Sequence, residues 1–436
     1  MSGRLESGPG DVEEIPRFRP SSTYYYSGAG DPSLCNSKLR PDYAMSVTSV
    51  TALTGYLDNL TVDEETKLQQ AWVHLLRLCG VEGSDKLPSS PPDRTAELRE
   101  QHLDPAGLKS PAVFRERLWS FILADEPDVL VLRFLRARKW DVDRAVAMLV
   151  SAVGWRHERR LEADVIRRGD SPDESDDDHK GFLAQYRSGK AYVRGSDRER
   201  RPVFVIRVRL HDPKQQSTAA MERFVLHNIE TIRATLRYPR EKACLIFDLT
   251  GFGLKNMDFH IVKFLVQVFE ARYPEYLGVV LVHNAPFIFW GVWKVIKPWL
   301  DPVIASKINF TNSSADLSRF IAPEELQKSF GGKDQWEYKY IEPVPGENDR
   351  LGSEKKADVE AERDALIRQF ESLSAEWVGL DVRSAEAKQK AAERRRVTKQ
   401  LSDGYWKLDP YIRARTYYDR AGVLSSSGAV DYRAAQ

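Results

Sequence analysis

The strongest constraint on the fold is a change of rhythm after about residue 200. From there, short apolar runs of strand character alternate with helical stretches of ten residues or more. Val203–Val208 (VFVIRV) reads as a strand, Ala219–Leu236 as a helix, Ala243–Leu249 (ACLIFDL) as a buried strand and Asp258–Arg272 as a second helix. Gly278–Val282 (GVVLV) and Ser306–Phe310 supply two further strands. Strands joined through such helices need crossover connections, so the pattern predicts an α/β lobe with a mainly parallel sheet covered by helices. Within Asp258–Arg272, Ile261, Phe264, Leu265 and Val268 share one stripe, as packing on a sheet requires.

One such lobe leaves much of a 436-residue chain unassigned, so further units are expected. Residues 1–45, rich in Gly, Ser, Pro and Tyr and without periodicity, are predicted to be disordered. Residues 46–80 hold one amphipathic helix, with Leu68, Ala71, Trp72, Leu75 and Leu76 at helical spacing behind Thr61 as N-cap. Residues 81–110 form a Pro/Ser-rich linker, and 111–165 a small helical subdomain in which Asp141 caps a helix after the turn at Lys139-Trp140. The acidic stretch Asp170–Asp178 reads as a solvated connector to the lobe at 180–335. Residues 354–420 read as a charged helical extension; Leu366, Phe370, Leu373 and Trp377 share a face, and the basic run Lys388–Lys399 reads as a solvated one, with a site for anionic lipid headgroups as the alternative.

The formal charge of +1 makes no demand for a polyanionic partner, so no nucleic acid is expected. Cys35, Cys79 and Cys244 are too few and too scattered for a disulfide scaffold or a zinc site. The N-terminus lacks the apolar core of a signal peptide, and no apolar run reaches roughly 18 residues, which predicts a cytoplasmic chain that touches membranes peripherally. Enzyme chemistry has no foothold. The eight histidines form no HExxH, Gly-x-Ser-x-Gly is absent, and Gly251-Phe252-Gly253 has Asn256 where a dinucleotide motif needs its third glycine. Cys244 sits inside an apolar strand without the nearby Arg of a phosphatase loop. Neither a metal nor a cofactor is expected.

Asn284–Pro302 (NAPFIFWGVWKVIKPWLDP) is the segment that composition explains least. Phe287, Phe289, Trp290, Trp293 and Ile296, with the aliphatic residues between them, leave no polar stripe on a helix, so every face must meet something greasy. Pro286 can open the helix and Pro298 limits it, which makes it too short to cross a bilayer. Trp and Lys among aliphatics also suit a membrane interface. Two surroundings satisfy these residues: a fully buried core, or a cavity on one side and a membrane on the other.

FLRARKWDVDRA (Phe134–Ala145), DRERRPVFV (Asp197–Val205), LIFDLTGF (Leu245–Phe252), YPEYLGVVLVHNAPFIF (Tyr273–Phe289), KPWLDPVIASKINF (Lys297–Phe310) and FGG (Phe330–Gly332) together resemble the successive signatures of the CRAL-TRIO family. The likeness is greatest to its fungal-type phosphatidylinositol/phosphatidylcholine transfer proteins and covers roughly residues 110–332. The resemblance implies a lobe around an apolar lipid cavity, gated by a mobile helix at Phe287–Lys297, and a headgroup site formed by Arg138, Glu275 and Lys307. It implies a non-enzymatic carrier of one phosphatidylinositol-type lipid, in transient contact with cytosolic membrane surfaces. A second lipid and a lipid kinase or other protein partner, met through the extensions, are further candidates.

The implied chemistry is sound, because a phosphodiester entering a low-dielectric cavity needs cations and donors. Two positions depart from the family pattern. Gly251, Phe252, Gly253 and Leu254 stand where the family's phosphatidylcholine site has hydroxyl side chains, and Arg200 replaces a turn glycine. Within the same fold the alternatives are a carrier of sterol, tocopherol or haem, or a membrane-recruited signalling scaffold.

Overall fold

A computed structural model describes residues 54–89, 91–171 and 176–434; the expectation for residues 1–45 lies outside them. Helix α1 (Val62–Cys79) starts with a capping box in which Thr61 and Glu64 satisfy each other's backbone N–H, and it ends on left-handed Gly80. Next come α2 (Thr95–Leu98), α3 (Pro111–Ile122, capped by Ser110), α4 (Pro127–Ala137) and α5 (Val142–Glu158, capped by Asp141). Lys139 and Trp140 turn the chain between α4 and α5 with φ of 52° and 65°. Helix α6 (Asp177–Arg187) leads into the sheet.

The sheet runs β1 (Ala191–Ser196), β2 (Pro202–Arg207), then α7 (Thr218–Thr235), β3 (Ala243–Asp248), α8 (Phe259–Ala271), β4 (Leu277–His283), α9 (Phe289–Ile296), α10 (Pro302–Ser306) and β5 (Ile308–Thr311). The strands lie side by side in chain order, and β2 to β5 are parallel. The sequence pattern missed β1, which pairs antiparallel with β2 through a bulge between Val193 and Ser196. The turn of this hairpin holds Arg200 at φ 61°, the left-handed conformation that a glycine adopts without cost.

Strand side chains alternate between two faces, and here the alternation separates two environments. Val203, Val205, Cys244, Ile246, Val279 and Leu281 point to a closed core completed by Leu317, from α11 (Ser314–Ser318), and by Ile321, Leu326 and Phe330. Their neighbours Phe204, Ile206, Leu245, Phe247, Val280 and Val282 point the other way, toward the helices and a cavity.

Beyond the lobe, α12 (Lys356–Trp377) and α13 (Ala385–Ile412) pack on the N-terminal helices, followed by α14 (Tyr417–Arg420). Arg115 and Trp119 of α3 bind Glu371, and Arg394 forks onto Asp128 at 2.7 and 2.9 Å while Trp72 Nε1 also donates to that carboxylate. Arg394 belongs to the basic run read as solvated, yet it is 2% exposed. Its charge is matched by an acid 266 residues away in sequence, a pairing that local periodicity does not display.

Candidate functional site

The outward row of strand residues floors a cavity whose walls come from α7 and α8 and whose roof is α9. It measures about 260 Å³, or about 1760 Å³ when the space out to the walls and the open mouth are counted. Helix α8 shows how it is built. Phe264 and Val268 are packed in the core, whereas Val262, Leu265, Val266 and Phe269 line the cavity and stay half-buried because empty space lies before them. Phe252 also lines it, so the segment where the family pattern has hydroxyls offers an aromatic ring instead.

Helix α9 is not fully buried, and its two sides meet different surroundings. Phe289, Trp293 and Ile296 face inward and line the cavity, with Phe289 and Trp293 stacked at 6.3 Å. The opposite side is exposed and apolar: Phe287 is 93% accessible, and Ile288, Trp290 and Val295 are each exposed. A four-residue step keeps Phe289 and Trp293 on one face, and a three-residue step from Trp293 places Trp290 on the next, over Phe310 at 4.8 Å.

A cluster of charge sits where the parallel strands begin. Lys242 directly precedes β3, Glu275 lies two residues ahead of β4, and Lys307 directly precedes β5, so neighbouring strand starts set the three side by side. Lys242 Nζ lies 3.0 Å from one Glu275 oxygen and Lys307 Nζ 3.6 Å from the other. Burial would raise the Glu275 carboxyl, but Lys242 and Lys307 outweigh it and hold it down to about 2. Burial also lowers the Lys307 ammonium, partly countered by Glu275. Glu275 has φ 63°, unusual for a residue with a side chain, and such strain gathers at functional sites.

Helix α4 closes this cluster from the other side. Arg136 binds Glu241 at 2.8 Å; Arg133 donates to the carbonyls of Glu241 and Glu275 and lies 3.9 Å over the Tyr276 ring. Tyr276, Leu277 and Ile308 adjoin the charged residues in sequence and line the cavity, which places the cluster at its end.

The structure therefore brings Glu275 and Lys307 together but sets Arg138 apart. Arg138 follows the last turn of α4 just before the left-handed pair Lys139-Trp140, and its nearest charges are Arg144, Asp301 and Glu270. Burial, then Arg144, lowers its pKa. Asp301 caps the start of α10, and Lys307 follows its last residue. The motif reading missed Arg133, Arg136 and Lys242. A usable signal existed for Lys242, which stands immediately before its strand as Lys307 does.

Among the described residues, no helix is long and apolar enough to cross a membrane, and no group of acidic, His and Cys side chains could hold a metal. Two family models match the chain: the CRAL/TRIO domain over residues 186–332 and the CRAL/TRIO N-terminal domain over 94–151. A CRAL-TRIO domain-containing protein of Schizosaccharomyces pombe is 42% identical over 323 residues, covering 74% of this chain and 70% of that protein. The phosphatidylinositol transfer protein CSR1 of Eremothecium gossypii is 35% identical over 435 residues, 86% of this chain and 99% of the relative. The SEC14 cytosolic factor of Kluyveromyces lactis is 30% identical over 239 residues, 51% of this chain and 76% of that one.

Proposed function

The chain belongs to the CRAL-TRIO family, and on that premise we propose that it is a lipid carrier that encloses one phosphatidylinositol-type molecule and exchanges it at membrane surfaces. One observation carries the reading. Helix α9, apolar but for Lys294, roofs an apolar cavity with its inner face and presents exposed apolar side chains to the outside.

A diacyl lipid has about 30 chain carbons, and at about 0.8 kcal/mol per buried methylene their exposure to water costs on the order of 24 kcal/mol. A carrier must therefore open only where bilayer replaces water. The outer face of α9 provides that coupling: Phe287, Ile288 and Trp290 enter the interface, the helix swings, and Phe289, Trp293 and Ile296 release the chains. The phosphodiester and inositol ring are held by Lys307, Glu275 and Arg138. Lys242 and Arg136 add charge beside Glu275. The name of the CSR1 relative supports the choice of lipid.

The test is mass spectrometry of lipid extracted from the purified full chain, paired with transfer of labelled phosphatidylinositol between liposomes. Phosphatidylinositol in the extract and protein-dependent transfer are expected. A neutral isoprenoid or pigment as the sole bound species, without transfer, would replace the reading with that of another apolar cargo.

A further inference from the structure

A turn outside both family matches sits against the charged end of the cavity. Residues 55–59 precede α1 and close on themselves, with Gly55 N donating to the Asn59 carbonyl and Asn59 N to the Tyr56 carbonyl. The turn is fastened from several directions. Arg136 of α4 donates to the Gly55 carbonyl at 2.8 Å, and Arg395 of α13 binds the Asp58 carboxylate at 2.8 Å and the Leu57 carbonyl at 3.2 Å. The Tyr238 hydroxyl, from the chain ahead of β3, meets the other Asp58 oxygen. Gly55 has φ 88°, and a Cβ there would come within 3.0 Å of the Trp140 ring, so the turn lies against the α4–α5 junction that carries Arg138.

Tyr56 reaches the other part of the headgroup site. Its ring centroid lies 4.3 Å from the Arg136 guanidinium carbon and 5.4 Å from Lys242 Nζ. The two cations use the ring differently. Arg136 is already committed, to Glu241 and to the Gly55 carbonyl, and anchors the turn. Lys242 carries a point charge on a flexible stem, its side chain is 22% exposed, and Glu275 pairs with it at 3.0 Å. One carboxylate leaves that stem free to swing about a single contact. A carboxylate together with the electron-rich face of a ring defines one place for the ammonium, across Glu275 from Lys307, and the ion pair uses only one of its three N–H groups.

We propose that Tyr56 is a positioning residue of the headgroup site, whose ring fixes the Lys242 ammonium where it meets the lipid phosphodiester beside Lys307. This rests on the carrier reading and adds to it a residue from a segment that neither family model matches. The competing role is structural, the fastening of the start of α1. Gly55, Leu57 and Asp58 perform that fastening through their carbonyls and carboxylate, and Tyr56 contributes a half-buried ring beside two cations.

The test measures the affinity with which the purified full chain takes labelled phosphatidylinositol from phosphatidylcholine vesicles. Tyr56→Leu keeps apolar bulk without the ring, and it should weaken uptake about threefold to tenfold, the yield of one cation–π contact at a half-buried site. Tyr56→Phe should match the parent. Lys242→Met should lose at least as much as Tyr56→Leu, and adding Tyr56→Leu to Lys242→Met should cost nothing further, because the ring acts through the ammonium. Equal losses in Tyr56→Phe and Tyr56→Leu overturn the proposal, as does a Tyr56→Leu loss that persists in the Lys242→Met background. A variant that merely loosens the fold would show that persistent loss. Undiminished uptake in all variants removes Tyr56 and Lys242 from the site and leaves the carrier reading standing, whereas a parent chain that takes up no phosphatidylinositol overturns both.

Discussion

Two charge clusters touch the helical side of the same sheet, and they are built on opposite principles. In the first, Glu230 of α7 receives Arg156 at 2.5 Å and Arg233 at 2.8 Å, with Tyr273 adding its hydroxyl; these carboxylate and guanidinium groups are 3–4% exposed. Arg233 also donates to the Phe121 carbonyl and the Tyr276 hydroxyl, so donors and acceptors are largely matched inside the protein. In the second, Lys242 and Lys307 share Glu275 at 3.0 and 3.6 Å and are 22% and 17% exposed, with hydration and donors in reserve. A knot of paired charges locks helices to the sheet; a rim with more cations than acids can take an anion. Burial of a charged group does not by itself separate structure from function. Unused donors at a cavity do.

The largest effect should come from breaking the knot. Glu230→Gln leaves Arg156 and Arg233 buried without their common counter-ion, which costs about 3–5 kcal/mol. Denaturant unfolding monitored by tryptophan fluorescence should show that loss, and a change below about 1 kcal/mol would mean that water or a neighbouring acid replaces the carboxylate.

Acid should produce the next largest effect. Burial raises the Glu230 carboxyl, but Arg156 and Arg233 overcome it and bring it from 4.5 to about 2. The folded pKa is below the unfolded one, so this contribution is complete above about 4.5 and is lost as pH falls through about 2. It amounts to on the order of 3 kcal/mol. Melting curves taken from pH 5 downward should fall less steeply for Glu230→Gln than for the parent chain. Parallel curves would remove Glu230 as a source of acid lability.

Third, Phe287→Ala combined with Trp290→Ala removes one exposed ring and one that packs on Phe310, so stability should fall by about 1 kcal/mol. Liposome transfer should fall several-fold, and undiminished transfer would remove the outer face of α9 from membrane docking.

The course of the parallel strands was legible because each buried strand is a continuous apolar run framed by helices of the right length. Strand β1 was not, since AYVRGS carries Arg194 and Gly195 inward of its end and breaks register at a bulge. Helix α9 was legible as greasy all round, but the division of its two faces depends on where the cavity lies. Glu275 and Lys307 could be reached through the motif resemblance, Lys242 by its place directly before a strand, whereas Arg136 became visible only once α4 was packed against Glu241. Arg394 and Glu371 stayed hidden for a different reason. Their partners Asp128 and Arg115 lie about 250 residues upstream, and only the packing of α12 and α13 on the N-terminal helices makes them neighbours.

The smallest predicted quantity is a coupling near zero, and it separates the two clusters most sharply. Residues that share a partner lose their interactions together, so Arg156→Ala and Arg233→Ala, both bonded to Glu230, should be strongly non-additive in stability. Arg138 and Lys307 share no partner among the described residues: Lys307 faces Glu275, and Arg138 donates to the Ala137 carbonyl. If they hold different parts of one headgroup, Arg138→Ala and Lys307→Ala should each weaken phosphatidylinositol binding. The double variant should then show the product of the two losses, within about 0.5 kcal/mol. A double variant no worse than Lys307→Ala would mean that both cations act on one oxygen cluster.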